Sequence, residues 1–135
     1  MTREELSYEP PPSPGAVLSY PQRDTTVCTV TGKIDTGTTP ALRDVLTQAV
    51  HDDNAHLVID LSTITFIDST GLYALFATRH KHNRGGNGHL AVVIDSSSQA
   101  IPRLYAVALD VIFDLHDDLA GALRACASAG PESGP

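Results

Sequence analysis

Two nearly unbroken apolar runs, His56-Leu57-Val58-Ile59-Asp60-Leu61 and His89-Leu90-Ala91-Val92-Val93-Ile94, bracket a stretch with helical periodicity. Strands this apolar need cover on both faces, which places them within a sheet that helices pack against. Between them, Ser69 to Arg84 brings Leu72, Leu75 and Phe76 to one face and ends in Gly85-Gly86, residues suited to a helix C-terminus. A strand, a helix and a strand within about forty residues form a right-handed parallel crossover.

The flanking segments extend this unit. Ala16 to Tyr20 and Thr25 to Thr31 are β-branched runs separated by Pro21-Gln22-Arg23-Asp24, which reads as a hairpin. Thr38 or Thr39 can cap a helix carrying Leu42, Val45, Leu46, Ala49 and Val50, with Pro40 tolerated in its first turn. After Ile94, Asp95-Ser96-Ser97-Ser98 offers caps for a helix carrying Ile101, Leu104, Tyr105 and Ala108, although Pro102 removes one early donor. Val111-Ile112-Phe113 reads as a short strand, and Asp117-Asp118 opens a last helix with Leu119, Ala120 and Leu123. The order β-β-α-β-α-β-α-β-α predicts an α/β fold, a mixed sheet of about five strands with about four helices packed on it.

A chain of 135 residues has room for one domain. Residues 1–15, with Glu9-Pro10-Pro11-Pro12-Ser13-Pro14, and residues 128–135 offer little to bury and are expected to be disordered tails around a domain at 16–127. The chain carries a net charge of −7, and without the tails eight basic and twelve acidic side chains leave −4. That balance lacks the cationic field of a nucleic-acid binder. The cluster Arg79-His80-Lys81-His82-Asn83-Arg84 falls where cations complement a helix C-terminus. Cys28 and Cys126 form no CxxC pair, and no apolar run suits a signal peptide or a membrane span, so a reducing, cytoplasmic setting with no membrane partner is expected. Six histidines lack ligand spacing: His51 and His56 straddle a turn, and His80 and His82 point to different helix faces. No metal and no cofactor are expected. The sequence also lacks a Gly-x-Ser-x-Gly elbow and a phosphate-binding GxxxxGK[ST] loop, which argues against an enzyme.

The stretch from Leu57 to Leu72 concentrates the chemistry: a buried strand, an apolar loop, then Asp68-Ser69-Thr70-Gly71 at a helix start. A helix N-terminus presents unpaired N–H groups and partial positive charge, so an anion on Ser69 or Thr70 is locally tolerated. Plain capping by Asp68 or Ser69 accounts for the same residues.

Three segments in order carry a resemblance. They are Gly32-Lys33-Ile34-Asp35 with Thr38 and Ala41-Leu42-Arg43, then Val58-Ile59-Asp60-Leu61 running into Phe66-Ile67-Asp68-Ser69-Thr70-Gly71-Leu72, and finally Val111-Ile112-Phe113 with Asp117-Asp118-Leu119-Ala120-Gly121-Ala122-Leu123. Over about 100 residues the chain resembles the STAS domain family, in particular its free-standing bacterial anti-sigma factor antagonists. Pro102, and the lack of a glycine in Ala106-Val107-Ala108-Leu109, depart from the family pattern.

The resemblance implies a non-enzymatic protein that binds an anti-sigma factor, itself a serine kinase, and so releases a sigma factor. It implies phosphorylation at Ser69, the serine after the motif aspartate, and a serine phosphatase that restores binding; Thr70 is the less favoured acceptor. The expected partner surface comprises Asp35, Thr36, Thr38, Asp68, Ser69, Thr70, Gly71 and Tyr73, with Gly71 letting a partner backbone approach and Asp68 orienting Ser69. Asp35 and Asp68 also read as ordinary strand-end and capping carboxylates. Two other functions fit the same residues: an unphosphorylated STAS scaffold or small-ligand sensor, and a small hydrolase using Ser69 with an aspartate and a histidine.

Overall fold

The β-branched run Thr25 to Ile34 forms the second strand of a five-stranded sheet in the computed structural model, which describes residues 17–22, 25–50, 56–85, 88–95 and 98–129. The elements follow as β1 (Val17–Gln22), β2 (Thr25–Ile34), α1 (Thr39–Val50), β3 (His56–Ile67), α2 (Ser69–Gly85), β4 (Leu90–Val93), α3 (Arg103–Ile112), β5 (Asp114–His116) and α4 (Leu119–Ala129). Strands lie in the order β1-β2-β3-β4-β5; β1 and β2 are antiparallel, and β2 to β5 are mutually parallel. The described residues therefore adopt the expected α/β class, a mixed sheet of five strands with four helices.

Alternation along the strands divides the core between two faces. Cys28, Val30, Leu57, Ile59, Leu61 and Val92 meet Leu42, Leu46, Leu75, Leu109 and Phe113, so α1, α2 and α3 cover one face. Val27, Val58, Ala91 and Val93 meet Ala122 and Cys126, so α4 covers the other. Both cysteines are fully buried, and they are not joined in a disulfide.

Residues 62–67, read as a loop from sequence, belong to β3. The pairing of β2 with β3 steps from Thr29↔Asp60 to Thr31↔Thr63 and from Gly32↔Ile64 to Lys33↔Phe66, which places two extra residues in β3. These bulges convert alternation into a spacing of three, and Leu61, Ile64 and Ile67 are buried in turn. Asp60 stabilises the first bulge by accepting hydrogen bonds from the Ser62 amide (3.0 Å) and hydroxyl (2.7 Å). Gly32 sits at the second with φ of 78°, a conformation that costs a side-chain-bearing residue.

Two further expectations need correction. Val111 and Ile112 are helical, the Phe113 amide donates to the Leu109 carbonyl (2.7 Å), and the last strand is Asp114-Leu115-His116. Ser98 does not cap α3: its hydroxyl closes a turn with the Ala100 amide (3.1 Å), and the helix starts only after Pro102, a residue that disfavours helical backbone at Ile101; Ser96 and Ser97 lie outside the described residues. At the last helix, Asp118 accepts a hydrogen bond from the Gly121 amide (2.8 Å), the acidic start expected there. The expected tails lie outside the described residues, except that residues 128 and 129 continue α4.

Candidate functional site

The paired residues Ile34 and Ile67 end β2 and β3 side by side, and the chain leaves each through an aspartate. The Asp68 amide donates to the Ile34 carbonyl (3.0 Å), which locks the two exits together. Both aspartates then use one carboxylate oxygen to organise the turn or helix that follows. Asp35 Oδ1 accepts from the amides of Gly37 (3.0 Å) and Thr38 (3.2 Å). Asp68 Oδ1 accepts from the amides of Thr70 (2.9 Å) and Gly71 (3.2 Å) and from the Thr70 hydroxyl (2.6 Å). Asp68 is thus the N-cap of α2, satisfying two of its orphan donors. The Thr70 hydroxyl above all, with the two amides, holds the Asp68 carboxyl below the usual carboxylate range against the opposing effect of burial.

Threonines tie the turns to each other. The Thr38 hydroxyl donates to the Lys33 carbonyl (2.9 Å) and accepts from the Asp35 amide (2.9 Å). Thr39 and Thr70 share a hydrogen bond of 3.1 Å between α1 and α2; because the Thr70 proton serves Asp68, Thr39 is the donor.

Ser69 stands apart from this network. It is exposed at the first helical position, and its hydroxyl takes part in none of the hydrogen bonds among the described residues. It lines an open groove of ≈ 680 Å³ between the starts of α1 and α2, with Thr36, Thr39, Pro40, Arg43 and Asp44 on one wall and Thr70 and Tyr73 beside it on the other. Tyr73, one turn after Ser69, is 65% exposed.

Of the residues expected at a partner surface, Thr36, Ser69, Thr70 and Tyr73 share this groove, whereas Asp35 and Thr38 shape its rim through the turn. Gly71 must be reassigned. It is buried, and a Cβ there would strike Ile34 Cγ2 and approach Ile67 Cγ1 at 3.0 Å. The missing side chain admits the β2 core residue, not a partner's backbone. Thr39, Pro40, Arg43 and Asp44 also line the groove and were not among the expected surface residues; the available signal was helical spacing, since Arg43 follows Thr39 by four residues as Tyr73 follows Ser69.

No cluster suited to a metal ion occurs among the described residues, and no histidine lines the groove. At the other end of the sheet, Asp114 Oδ2 bridges His89 Nε2 (2.7 Å) and His116 Nε2 (2.8 Å). Burial pushes the Asp114 carboxyl up, but hydrogen bonds from His116 and His89 overcome this and hold it below its ordinary value. The basic cluster in α2 is split, with Lys81 exposed and His82 buried. Among the described residues, no helix is long and apolar enough to cross a membrane.

Comparison with known proteins gives a consistent result. The profile of the STAS domain matches residues 18–122. The anti-sigma-F factor antagonist RsfB of Mycobacterium tuberculosis is 36% identical over 99 residues, covering 70% of this chain and 79% of RsfB. The crystal structure of an anti-sigma factor antagonist from Mycobacterium paratuberculosis superimposes with a TM-score of 0.73 at 34% identity, over 83% of this chain and 93% of that one. The Bacillus cell fate determinant SpoIIAA in its phosphorylated form shares the fold, with a TM-score of 0.61 at 14% identity over 82% of this chain and 99% of its own.

Proposed function

Because the chain belongs to the STAS domain family, we propose that it acts as an anti-sigma factor antagonist whose binding is switched off by phosphorylation at Ser69. The observation that carries the switch is the contrast between neighbouring hydroxyls. Thr70 spends its proton on Asp68 and its lone pair on Thr39, whereas Ser69 is exposed and uncommitted. A kinase can therefore reach Ser69 without breaking the cap that holds α2.

In the transfer, Ser69 Oγ attacks the γ-phosphorus of ATP, an Oγ–P bond forms, the bond to the ADP oxygen breaks, and the hydroxyl proton leaves to a base on the kinase. The product adds about −1.5 to −2 charges at the mouth of the groove. It stands beside the Asp68 carboxylate, whose acceptor oxygen already holds two amides of the helix start, so the helix dipole offsets only part of the new charge. A docked anti-sigma factor meets that charge directly. Its binding weakens through repulsion and desolvation with the domain still folded, and a serine phosphatase reverses the change.

Among the described residues no base hydrogen-bonds to Ser69, as a hydrolase nucleophile would need, which supports binding over catalysis. Incubation with the cognate anti-sigma factor kinase and ATP, followed by peptide mapping, is expected to find one phosphate on Ser69. A phosphate elsewhere, or none, would overturn the switch.

A further inference from the structure

Of the five large apolar side chains exposed among the described residues, three stand on α3: Leu104 (76%), Val107 (55%) and Val111 (80%). Their spacing of three and four residues draws them into one stripe, opposite the face that buries Leu109 and Phe113 in the core. Contiguous apolar surface rimmed by charge marks a place where another protein sits. None of the three lines the groove beside Ser69.

The charges beside the stripe identify the occupant. Arg103 and Asp110 are exposed and seven residues apart, so they lie two turns apart on one flank of the stripe. Neither forms an ion pair among the described residues. Each also stands at the wrong end of its own helix: Arg103 is the first residue of α3, where the dipole is positive, and Asp110 lies in the last turn, where it is negative. The first turn carries no acidic residue, the last turn no basic one, and Pro102 gives the helix start no side-chain cap.

A second α3 lying antiparallel across the stripe supplies what both ends lack. Its Asp110 arrives at the first turn beside Arg103, and its Arg103 arrives at the last turn beside Asp110. The same flank faces itself, so the match is self-complementary under a two-fold axis. Val107, midway between the charges, then meets its own copy, and Leu104 packs against Val111 of the second copy. In a parallel pair the charged flank meets the opposite one, where Ala108 offers no charge.

We propose that α3 is a self-association surface, on which two copies of the chain pair through antiparallel helices with Arg103 of each against Asp110 of the other. A ten-residue helix spans about 15 Å, so its face falls short of the roughly 800 Å² per partner of a standard interface. The net charge of −7 on each copy adds long-range repulsion. The dimer is therefore weak, with a Kd of about 0.1 mM.

Sedimentation equilibrium of the full chain, at loadings from about tenfold below that Kd to about tenfold above it, is expected to show the average mass rising from one chain toward two. Arg103→Glu and Asp110→Lys, both at exposed sites, each turn two attractive contacts into repulsive ones and should raise the Kd about tenfold. Mixed in equal amounts, the two variants should regain the association of the unmodified protein. The new carboxylate of one then faces the new ammonium of the other, and the native Asp110 of the first faces the native Arg103 of the second. Three outcomes overturn the proposal: the mass of one chain at every loading, which assigns the stripe to a different protein; association that the single changes leave unaltered; or weakening with no recovery on mixing. The measurement uses no anti-sigma factor, so its failure leaves the antagonist function standing, and a failure of Ser69 phosphorylation leaves the pairing standing.

Discussion

Asp68 and Ser69 are adjacent, yet one is consumed by structure and the other left free. Asp68 accepts three hydrogen bonds that favour its charged form, and its carboxyl sits below the ordinary value of 3.8. A depressed folded pKa means that the stabilisation is fully present above the unfolded pKa and is lost as pH falls through the folded one. The urea midpoint is therefore expected to drop on acidification from pH ~7 to ~3, and an Asp68→Asn variant should show less of that drop. An identical pH profile for both proteins would remove the cap from the account. Gly71 offers a second test at this scale. A methyl group there meets Ile34 and Ile67, β-branched side chains fixed in the core, and Gly71→Ala should cost about 1–3 kcal/mol by urea unfolding. A neutral substitution would mean that the close approach of α2 to β2 can relax, and the interface reading of Gly71 would reopen.

Among the elements, α3 best separates what periodicity reveals from what it hides. Val111-Ile112-Phe113 has strand-like composition, but Leu109 and Phe113 are buried four residues apart while Val111 is 80% exposed, the spacing of a helix face. Leu109→Ala is thus expected to destabilise by about 2–5 kcal/mol and Val111→Ala to stay within about 0.5 kcal/mol, both read from urea midpoints. Equal losses would favour a buried strand. The crossover β3-α2-β4 was legible because two nearly unbroken apolar runs flank a stretch in which Leu72, Leu75 and Phe76 recur at helical spacing. The second half of β3 was not, because its bulges break the alternation that marks a strand, and that break depends on pairing with β2, a partner more than thirty residues away. The site shows the same division. Asp68 and Ser69 announce themselves as a helix start, whereas the groove wall of Pro40 and Arg43 comes from the packing of α1 beside α2.

For the whole molecule, the sheet acts as a platform whose strands end in two coupled aspartate turns, and Ser69 stands on it without supporting it. An exposed side chain that makes no hydrogen bond among the described residues can change charge at little cost to stability, so partner affinity and folding should separate experimentally. Ser69→Ala and Ser69→Glu are each expected to unfold within about 0.5 kcal/mol of the unmodified protein. Toward the anti-sigma factor the two should diverge. Ser69→Ala keeps the affinity, whereas Ser69→Glu lowers it, by less than phosphate does because a carboxylate carries one charge against about −1.5 to −2. Raising the salt concentration should narrow the gap between the variants, since an exposed charge at the groove mouth is screened over about 10 Å at 0.1 M. Calorimetric titration of both variants at two ionic strengths reads both effects. Equal affinities would eliminate charge at Ser69 as the switch, and a gap that salt leaves unchanged would assign it to steric exclusion by the larger side chain.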